Sequence, residues 1–446
     1  VIQSACSHSA DVVDVVVIGA GPGGCSAAAE LARRGHSVRV LERRGFPRFH
    51  IGESLLPYMV GVLDRMGLRE RVAGQGYVVK RGAEFTGPDG EFRRVDFTAQ
   101  GPGRYHETFQ VERAHFDNLL AQHARELGAD FSYHTNVTEL ITDGGRVCGV
   151  RYTKDGKAGA VRARYVIDAA GRGSKAASAF QLRHTVDKLR MVAVYRHFTD
   201  LDEANNPGHE GDIQIGNHPD GWLWAIPIWP DTISIGAVMP KDRLRSRDPE
   251  QIFNDHLARI PRITRRLTGT RPLSEVRVET DYCYRSDTVA GEGWLMIGDS
   301  GCFLDPIFSG GVYLAMVTGA RAAEVIHEAL AAPVHEAEVM RDYENFYKTG
   351  YDTYSRLIQA FYECDFNFGR YVASLPAHIE RRWMARLLSG DFWSGVNPLN
   401  RLLRDNHDYD IFAPFEPVYG CPVYPHLDVA EDVAEDAEPE QLTRTG

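Results

Sequence analysis

The run from Asp14 to Gly24, DVVVIGAGPGG, constrains what this chain can fold into more than any other feature. A short β-branched strand, of the kind buried in a parallel sheet, passes directly into a glycine turn. An alanine-rich helical stretch (CSAAAELARRG) follows, then a second short strand, HSVRVLE. Strand, glycine turn, helix and strand within about thirty residues is what a dinucleotide-binding βαβ unit requires. In Gly19-x-Gly21-x-x-Gly24 the first glycine permits the tight turn, the second lets backbone approach a pyrophosphate, and the third lets helix pack on strand. Glu42 ends the second strand, eighteen residues past Gly24, where a carboxylate accepts from ribose hydroxyls. An acid there disfavours a 2′-phosphate, so the expected nucleotide is FAD or NAD and not NADP. Alone, the triplet is only a glycine-rich turn; the strand, the helix and the terminal acid give it meaning.

Two more segments read as parallel strands ending in glycine turns: ARYVIDAAG near Val166 and GWLMIGDSG near Met296. Between them, DIQIGNHPDGWLWAIPIWPDTISIGAVM reads as two or three aromatic-rich strands of an antiparallel sheet covering a pocket. A long helix is expected after Gly311, and a helix-rich, aromatic-rich region from Val334 onward. The division expected is a discontinuous dinucleotide domain over 1–195 and 290–333, a substrate-side antiparallel sheet over 196–289, and a helical region over 334–427. A disordered acidic tail is expected over 428–446.

Composition excludes other classes. The net charge is −11. Seven acids and one base between Asp428 and Gly446 carry −6 of it, leaving a nearly balanced body with no footprint for nucleic acid or anionic lipid. No apolar run reaches the ~18 residues that span a bilayer, and the first residues do not read as a secretion signal. The seven cysteines are scattered, without a C-x-x-C pair, which suggests reduced thiols in a cytoplasmic protein and no metal site.

Arg113 at the start of an amphipathic helix (VERAHFDNLLAQHARELGA) and Asp299 in MIGDSGCFLDPIFSGG accompany the glycine turn in order. On these three motifs the chain, from roughly Asp14 to Ala331, resembles the glutathione-reductase-type flavoproteins, in the branch of p-hydroxybenzoate hydroxylase. The resemblance implies an α/β FAD-binding fold, with Asp299 holding a ribityl hydroxyl. Read singly, Arg113 is a surface helix charge and Asp299 a helix N-cap. No second glycine triplet follows a later strand, which suggests that another protein, a separate NAD(P)H flavin reductase, supplies the electrons.

Trp222-Leu-Trp224-Ala-Ile-Pro227 gives W-x-W-x-I-P, and Phe303-x-x-Pro306-x-x-Ser309-x-Gly311 gives a second pattern. Ile51-Gly52-Glu53-Ser54 precedes Lys80. With these four signals in order the chain resembles the flavin-dependent halogenases, among them the shorter group acting on phenolic or pyrrolic substrates that are often tethered to a carrier protein. The resemblance implies that FADH2 and O2 give a hydroperoxide that a halide, expected to be chloride, attacks to form hypohalous acid. It places Gly52, Glu53, Ser54, Pro306 and Gly311 around the flavin. Backbone N–H groups at Ser309, Gly310 and Gly311, before a helix starting near Val312, are candidate halide donors.

Lys80 is the candidate relay. A solvated lysine is neutral only about four times in ten thousand at pH 7; lowering its pKa to about 8 makes that roughly a tenth. It would form a chloramine when neutral or hold hypohalous acid when charged; the plain alternative is a surface lysine on a strand edge. Trp222 and Trp224, two apart on a strand, share a face and wall the flavin from the substrate, or are simply core tryptophans. Phe308 stands where tryptophan halogenases carry a glutamate. An apolar ring there accepts no charge, so an electron-rich ring, such as a phenol, is the expected substrate, and no base is identified. An aromatic monooxygenase, a geranylgeranyl-reductase-like enzyme and a flavin-binding scaffold without turnover are the competing readings.

Overall fold

The computed structural model describes residues 12–87, 90–202, 211–244 and 247–423. The expected acidic tail over 428–446 lies outside the described residues.

Strand Val12–Ile18 pairs in parallel with Val38–Leu41 on one side and Lys157–Asp168 on the other. Trp294–Met296 extends the sheet beyond Asp168 and Asp130–Ser132 extends it beyond Leu41, both in parallel. From Val15 to Ile18, and at Val38, Val40, Val166 and Ile167, these strands are buried on both faces, as the unbroken β-branched runs require. Their carboxyl ends converge on one edge, so Gly19, Glu42, Ala169 and Gly298-Asp299 leave the sheet side by side. That edge is where an open α/β sheet takes a ligand.

Helix Pro22–Arg33 covers one face, with proline at its first turn and no side-chain cap at Gly21. It crosses helix Gly310–Ala331 with the two backbones nearly touching: a Cβ on Gly319 would lie 2.4 Å from the Gly23 carbonyl oxygen. Only glycine permits that approach, and the contact sets where the N-terminus of the second helix falls. The 28-residue helix Glu336–Glu363 completes the clamp. From it, Tyr343 donates to the Met296 carbonyl at 2.7 Å and Tyr347 to that of Gly298 at 2.6 Å, fixing the strand end that carries Asp299.

Where two or three strands were expected in the second sheet, three are present: Ile213–His218, Gly221–Trp229 and Thr232–Pro240. The sheet is wider than the expected 196–289. It takes in Gly82–Thr86 and Phe92–Asp96, and Gly82–Thr86 joins Ile213–His218 in parallel, so the sheet is not wholly antiparallel. The expected boundary at 195–196 falls within the single strand Arg183–Thr199, whose first half pairs with Arg277–Ser286 and whose second half also pairs with Thr232–Pro240. Both partners belong to the second sheet, so a single long strand gives a window of sequence no break to register. Beyond Glu363, the helices Phe368–Ser374, Arg381–Ser389 and Pro398–Arg404 supply the expected helical region. No helix among the described residues is long and apolar enough to cross a membrane.

Candidate functional site

A cavity of about 350 Å³ runs from the glycine turn to the tryptophan pair. At its first end Gly19, at φ +97°, would put a Cβ 2.6 Å from the Ala169 carbonyl oxygen, and Gly24 would put one 2.1 Å from that of Gly19. A Cβ on Gly21 would meet only Arg48, at 3.9 Å. The first and third glycines thus serve close packing, and the second leaves open backbone beneath an uncapped helix N-terminus, an arrangement suited to a pyrophosphate. Glu42 is buried; one carboxylate oxygen accepts the Ala20 N–H at 2.9 Å and the other the Arg44 N–H at 2.9 Å.

Arg113 and Asp299 meet the same cavity in its middle. Arg113 is paired with Asp117 at 2.7 Å and donates to the Ile51 carbonyl, also at 2.7 Å. It therefore steadies the Ile51–Ser54 segment, whose Gly52 stands at φ +98° with room for a Cβ only 3.1 Å from the guanidinium. The Asp299 carboxyl opens to the cavity, where burial pushes it up to about 6 against the pull of Arg113 and Arg172. Glu53 lines the cavity too, with its carboxylate 2.7 Å from His197. Burial would lower the His197 imidazolium, but that carboxylate carries the net shift upward. The open glycine cradle, the buried acid at a strand end and the carboxyl at the next strand end fit FAD.

At the far end the cavity is walled by Trp222, Trp224 and Ile226 on one side and by Pro306, Ser309 and Gly311 on the other. The two indoles do share a face, with ring centroids 5.9 Å apart. Trp224 donates to Ser234 at 3.0 Å, and a Cβ on Gly236 would lie 2.2 Å from its ring, so the neighbouring strand is cut away to seat it. Helix Gly310–Ala331 begins two residues earlier than expected, after Ser309 in the left-handed region at φ +58°.

That placement corrects the expected halide donors. The Gly310 N–H donates to the Tyr354 hydroxyl at 3.1 Å and the Ser309 N–H to the Pro306 carbonyl at 3.0 Å, so both are engaged. Gly311 faces open space: a Cβ there would meet nothing within 4 Å. Its N–H, in the first helical turn, has no intrahelical acceptor. Phe308 is not among the residues lining this cavity and packs edge-on against Phe361, centroids 5.3 Å apart.

Lys80 is 1% exposed, so it is not a surface lysine. Its strand, Val78–Lys80, pairs with Thr108–Gln110. The ammonium donates to the Ser54 hydroxyl and to the Leu55 carbonyl, both at 2.9 Å, and lies over the Phe97 ring. Ser54 lines the cavity and Lys80 stands directly behind it. Burial pushes the Lys80 ammonium down to about 7, with Asp212 resisting, so close to half of it is neutral at pH 7.

Three lining residues carry no signal in the sequence motifs. Tyr351 and Tyr354 reach the cavity from helix Glu336–Glu363, and Asp305 occupies an unspecified position of the Phe303–Gly311 pattern. A lone acid in the apolar run FLDPIF was the available clue to Asp305; the tyrosines at 343, 347, 351 and 354 keep a helical period.

A family model described as FAD binding domain matches residues 12–334. A tryptophan 2-halogenase of Chondromyces crocatus is 33% identical over 359 residues, 78% of this chain and 67% of that protein. A 1H-pyrrole-2-carbonyl-(peptidyl-carrier protein) brominase of Pseudoalteromonas luteoviolacea is 33% identical over 71% of this chain and 78% of its own. A chlorinase described for the same carrier-bound pyrrole, from Pseudomonas fluorescens, is 28% identical over 86% of this chain and 90% of its own. Among solved structures, the myxobacterial chondrochloren halogenase CndH, a variant of the FAD-dependent halogenases, superposes with a TM-score of 0.76 at 28% identity, covering 91% of this chain and 100% of that one.

Proposed function

The chain belongs to the flavin-dependent halogenases, within the FAD-binding-domain family, and on that premise we propose that it chlorinates an electron-rich phenol or pyrrole, free or carrier-bound, with Lys80 relaying the halogen. The observation that carries this reading is the buried Lys80 amine joined by a hydrogen bond to Ser54 of the cavity wall.

Bound FAD, reduced by a separate NAD(P)H-dependent flavin reductase, supplies the oxidising equivalent together with O2, so that one halide, one aryl C–H and one proton become aryl halide and two waters. Gly21 and the helix behind it hold the pyrophosphate, Glu42 the ribose and Asp299 the ribityl chain. Gly311 offers its N–H to the halide. Trp222 and Trp224 keep the organic substrate away from the oxidant's source while a triatomic acid passes.

At Lys80 two balanced routes lead to the same product. The neutral amine takes halogen from hypohalous acid, forming N–X and releasing water, then hands it to the ring and recovers the aryl proton. The ammonium instead holds hypohalous acid by hydrogen bonding while the ring attacks it. Phe308 offers the ring no carboxylate, so the ring must disperse its own cationic charge, as a phenol does by losing its hydroxyl proton. The carrier-bound substrates named for two relatives support a pantetheine-linked form.

The test is product mass after incubation with FAD, a flavin reductase, NADH, O2 and chloride. Phenols and pyrrole-2-carboxylate, free and pantetheine-linked, are offered beside tryptophan. Gain of chlorine on a phenol or pyrrole and none on tryptophan is expected; a hydroxylated product, or NADH oxidation without the reductase, overturns the reading. Product formed with bromide alone would correct the halide. Lys80→Met is expected to lose at least a hundredfold in turnover while its FAD affinity stays within twofold.

A further inference from the structure

One carboxylate on the cavity wall touches a group that reaches solvent. Glu53 lines the cavity and is 2% exposed. Its backbone is fixed: the Val111 N–H donates to the Glu53 carbonyl at 2.7 Å, and Arg113 donates to the carbonyls of Ile51 and Gly52 at 2.7 and 3.2 Å. A Glu53 carboxylate oxygen stands 2.7 Å from Nε2 of His197, whose side chain is 15% exposed and which is not part of the lining. His197 lies beside the exposed Phe49 ring, centroids 5.8 Å apart. Glu53 and His197 thus join the cavity to the surface in two steps. Glu42, by contrast, has both oxygens engaged by backbone N–H groups.

Halide, O2, FADH2 and one proton become hypohalous acid, water and FAD, so each turnover consumes a proton inside the cavity. We propose that His197 and Glu53 carry that proton from solvent to product oxygen. This rests on the halogenase reading. The His197 imidazolium gives its Nε2 proton to the Glu53 carboxylate: an N–H bond breaks and an O–H bond forms. The Glu53 acid passes the proton to product oxygen and returns to carboxylate, and solvent reprotonates His197. No electrons move along the pair, and one proton enters for each halide oxidised.

The charges facing His197 agree with this. Burial opposes its imidazolium, the Glu53 carboxylate outweighs burial, Arg277 of strand Arg277–Ser286 subtracts, and Glu112, at the entrance of helix Arg113–Glu126, adds. Arg277 lies over the Phe49 ring at 3.8 Å, and Glu112 accepts from the Trp229 indole N–H at 3.2 Å. The balance holds His197 above its ordinary 6.5, so at neutral pH it is loaded more fully than a free imidazole and still exchanges with solvent.

The test is a single turnover of the reduced, FAD-loaded protein with O2, halide and a phenol, followed by product mass between pH 6 and 9. The wild-type rate is expected to fall by up to roughly tenfold per pH unit above the His197 titration. His197→Gln should lose roughly a hundredfold and flatten that limb, with FAD affinity within about twofold of wild type. His197→Gly should regain roughly tenfold when imidazole is added, a rescue that a packing role for the ring does not give. In the FAD-free protein, the His197 ring followed by NMR should titrate at lower pH in Glu53→Gln than in wild type. A wild-type rate and pH profile in His197→Gln, no response of His197→Gly to imidazole, or a His197 titration indifferent to Glu53→Gln overturns the relay alone. No halogenated product from wild type at any pH overturns the halogenase reading together with it.

Discussion

Burial lowers the proton affinity of Lys80, and the sign of that shift has a consequence for stability. In the fold it titrates at about 7, below the ordinary lysine value of 10.5, so between those values the unfolded chain binds more protons and stability rises with pH. Lys80→Met is therefore expected to stabilise the fold below pH 7, by at most about 5 kcal/mol, with the gain fading toward pH 10. Urea unfolding at pH 6.5, 8 and 9.5 measures it; a gain that does not change with pH refutes the buried titration. At the other end of the cavity, Glu42→Ala strands the Ala20 and Arg44 N–H groups and removes the proposed ribose acceptor. FAD should bind ten- to a hundredfold more weakly, about 1–3 kcal/mol, in a fluorescence titration. Glu42 and Lys80 were legible because each stands at a fixed distance from a glycine or serine motif. The place of Asp305 in the cavity wall was not, because its burial and its neighbours come from helix Glu336–Glu363, and nothing in FLDPIF states either.

At the scale of elements, the contact between Gly23 and Gly319 decides where Gly311 sits. Gly319→Ala would place a methyl 2.4 Å from a backbone oxygen that cannot rotate away. Prying the two helices apart is expected to cost about 1–3 kcal/mol and to weaken FAD binding, although residue 319 is not itself part of the cavity lining and acts through Gly23, which is. Thermal melts and FAD titration of the variant check both effects; an unchanged affinity would show that the helix N-terminus is set elsewhere. The parallel strands near Val166 and Met296 were readable from their β-branched runs and glycine exits. The pairing of Gly82–Thr86 with Ile213–His218 was not, because its partners lie some 130 residues apart and nothing local encodes the match. The start of helix Gly310–Ala331 was misjudged by two residues, since a serine in the left-handed region at its entrance leaves no sequence mark.

Across the whole molecule, acid sensitivity is expected to gather in the second sheet. His218 and His256 are buried, with ring nitrogens 2.8 Å apart, and burial holds both down to about 4. A histidine kept neutral by the fold binds fewer protons than its unfolded form between about pH 6.5 and 4, so stability falls as pH drops through that window. The melting temperature should decline there, and His256→Gln should flatten the decline; equal slopes for the two proteins would place the acid lability in other groups. The FAD-binding domain was visible in outline because its motifs are local. Its division from the second sheet was not, because strand Arg183–Thr199, which belongs wholly to the second sheet, runs through the expected boundary.

The short path from Phe308 to Gly311 bears on how such an enzyme can diverge. Phe308 meets helix Glu336–Glu363 while Gly311 faces the cavity, and the engaged backbone of Ser309 and Gly310 ties the two together. Breeding for a new ring at position 308 will tug the proposed anion site at Gly311 through that tether. Lineages selected for one trait inherit a change in the other, and a library screened on one halide alone would miss half of what it had altered.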